Sequence, residues 1–249
     1  MAQAGRAAEG VGDGAVERAL VVTAHPDDVD FGAGGTIATW TEQGTAVTYC
    51  ICTDGDAGGF DPDVPRGEIG GIRQAEQRAA AKELGVEDVV FLGYPDGRLT
   101  ASHDLRRDIS RVVRQVRPER MMIQSPERNW ERIAASHPDH LAAGEAAIAA
   151  VYPDARNPFA HLELAAEGLE AWSVPEVWVM GGTATGPDRF VDITDVFDRK
   201  LAALRAHASQ TSHMDGLEEL LRGWLGERAR AAGLPEGRLA EAFRVATTR

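Results

Sequence analysis

The chain has 249 residues and a formal charge of −13, with 43% hydrophobic and 26% charged residues. That usage suits one α/β domain, or two small ones, and excludes a disordered or fibrous chain. The acidic balance argues against a nucleic-acid backbone or an anionic membrane surface as partner, because both are held by clustered Lys and Arg.

From residue 19, short β-branched runs alternate with helical patterns, the rhythm of an α/β fold with a mostly parallel sheet and helices on both faces. In chain order the spacing predicts a strand at 19–23, a helix at 34–43, a strand at 46–53, a helix at 68–84, a strand at 88–92 and a helix at 103–116. A strand at 120–124, a helix at 138–151 and a strand at 176–180 follow. Gly44, Gly85 and Pro118 fall where helices should stop. Beyond them are expected a strand at 190–193, a helix at 196–208 and two amphipathic helices, GLEELLRGWLGERARAA and EGRLAEAFRV. Their Leu and Trp spacing suits packing more than a ligand box, and leaves a homo-oligomer open.

Residues 1–18 read as a loose tail without the apolar centre of a signal peptide, ahead of a single domain at 19–249. No apolar run approaches the roughly 18 residues of a membrane helix. Cys50 and Cys52 stand two apart in a strand-like run. They lack disulfide geometry and read as buried thiols of a reducing, cytoplasmic compartment.

In open parallel sheets, ligands bind beyond the carboxyl ends of the strands. After the first predicted strand stands Ala24-His25-Pro26-Asp27-Asp28. Proline presets a turn that brings positions i and i+3 within about 7 Å, so His25 and Asp28 converge and suit zinc or a similar divalent metal. Asp27 is left beside the metal. After the fourth strand comes Ser136-His137-Pro138-Asp139-His140. Pro138 suits the first helical position, so His137 stands at or before the N-cap and His140 one turn on, facing the same cavity. Asp139 is read either as orienting a histidine from behind or as capping the helix.

Together, AHPDDVDFGAGGT, TDGDAGG, RQAE, LGYPDG and SHPDH resemble the PIG-L/LmbE family of zinc-dependent N-deacetylases, over residues 19–210. The resemblance implies a Rossmann-like, LmbE-like fold. It also implies His25, Asp28 and His140 as metal ligands, Asp27 as general base and a protonated His137 as stabiliser of the oxyanion. The implied cofactor is Zn2+, with another divalent metal such as Fe2+ as the alternative. The implied reaction is removal of an acetyl or other acyl group from an N-acylated amine by metal-activated water, on a small N-acetylglucosaminyl-type substrate. Arg73 and Asp96 match positions that line the family's sugar pocket, though as surface charges they need no function. Asp56 stands where the family often has Glu, and His207 in RAHASQ resembles a family pattern. Some members carry a tyrosine where this chain has residues 133–135; either a phenol from another loop, such as Tyr94 or Tyr152, replaces it or its function is absent. Gly32, Gly34 and Gly35 serve either substrate approach or close packing.

Three other readings remain. The same mechanism could serve an amidase acting on a thiol conjugate or an acylated natural product. A nucleotide-binding domain is favoured by Asp54, but the third glycine of its fingerprint would fall at Ile37. A non-catalytic zinc protein has no need for a free Asp27. The net charge points to a neutral or cationic amide as substrate in preference to a polyanion.

Overall fold

The computed structural model describes residues 16–248. Residues 1–15, most of the expected tail, lie outside the described residues, whereas Arg18 already opens the first strand. The elements run β1 (Arg18–Thr23), α1 (Asp28–Glu42), β2 (Ala46–Thr53), α2 (Arg66–Glu83), β3 (Asp88–Tyr94), α3 (His103–Val116), β4 (Arg120–Gln124), α4 (Pro138–Ala149) and α5 (Leu162–Ala166). They continue with β5 (Glu176–Met180), β6 (Arg189–Asp192), α6 (Phe197–Ala206), α7 (Ala208–Thr211), α8 (Leu217–Ala231) and β7 (Ala240–Thr247).

All seven strands form one sheet in the order β3-β2-β1-β4-β5-β7-β6. The first five are parallel, and β7 runs antiparallel between β5 and β6. β1 is buried from its second residue onward, as a strand covered on both faces must be. Its alternation divides the core: Ala19 and Val21 join the layer under α1, α6 and α8, whereas Leu20 and Val22 join the layer under α3 and α4. Cys50 and Cys52 share that second layer as free, buried thiols. The chain leaves β1 to one side and β4 to the other, so their carboxyl ends border the crevice where strand order reverses.

Three expectations are corrected. The segment expected as a second C-terminal helix is β7, which pairs Met180 with Phe243 on one side and Asp192 with Ala240 on the other. Two waiting strand edges outweigh a local pattern that fits both periods. Helix α1 starts at Asp28, six residues before the expected start, so the glycines lie inside it. A Cβ on Gly35 would sit 2.6 Å from Ile193 Cδ1, which makes close packing the role of that glycine. Residues 207–208, expected to continue the helix from 196, mark a break: α6 ends at Ala206 and His207 has non-helical angles.

Candidate active site

The turn after β1 closes as foreseen, with Asp28 N–H directed at the His25 carbonyl at 3.4 Å and His25 N–H donating to Asp28 Oδ2 at 2.7 Å. Asp27 caps α1 with a left-handed φ of 86°, a conformation that aspartate tolerates better than most residues. After β4, His137 is the N-cap of α4 and Pro138 its first residue. His140, one turn on, faces back across the crevice.

Three side chains converge there, Asp28 through both of its oxygens. His140 Nε2 lies 3.0 Å from Asp28 Oδ1 and 3.3 Å from His25 Nδ1, and His25 Nδ1 lies 3.4 Å from Asp28 Oδ2. Tetrahedral bonds of about 2.0–2.1 Å put neighbouring ligand atoms about 3.3 Å apart. The spacing of this donor set therefore fits a zinc-sized cation. His140 is 30% exposed, which leaves the set open on one side.

The back of His25 is fixed by two carboxylates: its Nε2 lies 3.0 Å from Asp96 Oδ1 and 3.2 Å from Asp139 Oδ2. Such a contact sets the tautomer and leaves Nδ1 for a metal. Asp139 also accepts the N–H groups of Gly97 and Leu99, so it ties the loop after β3 to α4. The Arg73 guanidinium is buried; it donates to the Pro26 carbonyl at 2.6 Å, to the Gly55 carbonyl at 3.1 Å and to Asp27 Oδ2 at 3.2 Å. A Cβ on Gly55 would meet Arg73 Nη1 at 2.5 Å, so the loop after β2 closes over this side chain. Arg73 is thus no surface charge: it stands against Asp27, the candidate base, and Asp96 against a candidate ligand. Asp56 accepts the Asp96 N–H. Tyr94 donates to Asp108 and Tyr152 is exposed.

The electrostatics separate the two neighbouring aspartates. Burial and the charge of Asp28 push Asp27 up to about 7, against the opposing charges of Arg73 and His207. Burial also opposes ionisation of Asp28, but the charge of His140 and hydrogen bonds from His140 and His25 outweigh it and hold Asp28 well below the usual carboxylate range. For His25, burial is outweighed by Asp28 and Asp96, which push it up to about 10. Burial and the charges of His25 and His140 lower His137. His137 Nδ1 accepts the Asp139 N–H at 3.2 Å, so the neutral ring carries its proton on Nε2.

A family model described as GlcNAc-PI de-N-acetylase, PIG-L, matches residues 20–151. A diacetylchitobiose deacetylase of Thermococcus kodakarensis is 35% identical over 195 residues, 78% of this chain and 70% of its own. The chain belongs to the PIG-L family. A probable N-acetyl-alpha-D-glucosaminyl L-malate deacetylase 2 of Bacillus cereus is 37% identical over 202 residues, covering 78% of this PIG-L chain and 84% of that relative. The solved N,N'-diacetylchitobiose deacetylase of Pyrococcus horikoshii superposes with a TM-score of 0.84 at 30% identity, over 93% of this chain and 84% of its own.

Several residues that support the PIG-L site escaped the sequence reading. Gln77 accepts the Asp27 N–H at 2.8 Å and donates to Asp30 Oδ2 at 2.8 Å. Lys200 and Glu241, both fully buried, pair at 2.7 Å inside α1's own backbone network: Lys200 Nζ donates to the carbonyls of Asp30 and Phe31, and Glu241 accepts from Gly35 and Thr36 N–H. The one available signal was Asp30, an acid within an apolar helix that required a buried partner. Among the described residues, no helix is long and apolar enough to cross a membrane.

Proposed function

We propose that this protein is a metal-dependent N-deacetylase of small N-acetylglucosaminyl-type substrates, with His25, Asp28 and His140 as metal ligands and zinc as the metal. The observation that carries this reading is a donor set at zinc spacing with a separate carboxylate, Asp27, beside it and near neutrality. A bound divalent ion would lower the pKa of water and polarise the amide carbonyl. Asp27, as general base, takes the proton of the attacking water and returns it to the leaving amine. His137 donates a hydrogen bond from its Nε2–H to the carbonyl oxygen as negative charge develops there. Asp96 and Asp139 hold His25 in its ligating tautomer, and Arg73 holds Asp27 in its strained turn. The unpaired buried thiols support a reducing, cytoplasmic setting.

The test is amine release from diacetylchitobiose and from N-acetylglucosaminyl malate and inositol, with metal content measured on the same sample. Turnover that is lost on chelation and restored by zinc supports the proposal. Turnover indifferent to prolonged chelation overturns the metal mechanism, and bound metal without turnover on any of the three points to a non-catalytic site.

A further inference from the structure

The candidate site divides the sheet edge in two. Asp27, Gly55, Arg73 and Asp96 lie on the side of β2 and β3. On the side of β4 and β5, the strand ends and α8 enclose a cleft of about 510 Å3 whose walls include Asp28 and His140 but neither Asp27 nor His137. Much of the polar lining is engaged within the protein: Gln124 accepts the Ala24 N–H, Ser125 Oγ accepts the Glu127 N–H, and Lys200 is bound to Glu241. Phe31, Met180, Leu221, Trp224 and Leu225 supply an apolar wall, with Arg228 one turn further along α8.

We propose that this cleft is the acyl-side pocket and that the enzyme accepts unbranched acyl groups longer than acetyl. The inference rests on the reading of Asp27 as base and proton donor. In the hydrolysis, water oxygen bonds to the acyl carbon, the C–N bond breaks, the proton held by Asp27 ends on nitrogen, and the acyl group leaves as a carboxylic acid whose remaining proton passes to the amine, giving carboxylate and ammonium. The nitrogen must therefore face Asp27, and the other substituent of the amide carbon points away from it, toward β4, β5 and α8. A volume in the range of about 300–1,000 Å3 holds whole small ligands; the methyl of an acetyl group fills little of it. Trp224, 39% exposed on the rim, offers its face to a passing chain.

The experiment compares glucosamine N-acylated with acetyl, butanoyl, hexanoyl and octanoyl groups, scored by amine release. We expect kcat/KM to rise about fourfold per added methylene as far as hexanoyl, mainly through KM. Gly182 borders the cleft, and a Cβ there would meet only Asn129 Nδ2, at 3.5 Å. Gly182→Leu should therefore fold, fill the cleft and lower the hexanoyl-to-acetyl ratio at least tenfold, and Trp224→Ala should lower the same ratio. A rate that falls from acetyl to butanoyl, or a ratio unmoved by Gly182→Leu, overturns the proposal. If no substrate is cleaved, the deacylase reading fails, and calorimetry with octanoate decides the cleft separately. Binding that Gly182→Leu abolishes supports an acyl pocket, and no binding to the unaltered protein rejects it.

Discussion

His207 Nε2 lies 2.8 Å from Asp30 Oδ2, and neither side chain is exposed. Through Gln77, which bonds both Asp30 and the Asp27 N–H, this pair reaches the main chain of the candidate base. His207→Leu leaves Asp30 buried without its cation. We expect a loss of about 3 kcal/mol in urea unfolding, with a fall in kcat, and partial recovery of both in His207→Asn. Unfolding at the unaltered midpoint in His207→Leu would show that the pair does not hold α1.

Asp27 should separate experimentally from His140. Asp27→Asn is expected to retain the metal and lose about 10²- to 10⁴-fold in kcat. His140→Ala is expected to lose metal on dialysis. Metal-to-protein ratios measured alongside kcat check both, and full activity in either variant contradicts the assignment.

Lys200 and Glu241 form a fully buried pair. Removing one member strands the other charge, so Lys200→Met should cost about 3–5 kcal/mol. Lys200→Met combined with Glu241→Gln should recover part of that, because the stranded charge is gone and the amide oxygen still accepts from Thr36. A double-mutant cycle in urea measures the coupling, and simple additivity would mean that the two side chains act independently.

Asp154 accepts two bonds from Arg106 at 2.8 and 2.9 Å, away from the candidate site. Burial opposes its ionisation, but hydrogen bonds from Arg106 and His161 outweigh it and lower the pKa. A carboxylate depressed on folding contributes stability that is present above its unfolded value of about 3.9 and is lost as pH falls through the lower folded value. The stability difference between the unaltered protein and Asp154→Asn should therefore shrink below about pH 4 in acid-titrated unfolding. A constant difference down to pH 2 would assign the effect to shape alone.

Burial pushes the Cys50 thiol up to about 12, and Cys52 rises likewise. A thiol-colour reagent should find about no reactive group in the native protein and both once denatured. Rapid native labelling would mean that β2 opens locally.

The parallel half of the fold was legible because its strands are buried on both faces and separated by helices with clear stops. The antiparallel end was not: β7 became a strand only because β5 and β6 each offered it an edge. Within the site, His25, Asp28, His137 and His140 were legible because a proline turn and a helix start dictate local geometry over three residues. Arg73 and Asp96 were legible as types but not as contacts, since α2 and the loop after β3 meet β1 only in three dimensions. Gln77, Lys200 and Glu241 carried no local signal, because what defines them is a partner far away in the chain.

The distance between Gly35 and Glu241, which are 206 positions apart yet share a hydrogen bond, separates possession of the motifs from possession of the site. The span 20–151 holds every candidate ligand and the candidate base. The buttress beneath them is supplied between residues 200 and 241. A piece ending before β7 would keep all the chemistry-bearing side chains but leave α1, which Asp28 opens, without the carboxylate that accepts from Gly35 and Thr36. The site is therefore complete only with the last strand of the sheet in its slot.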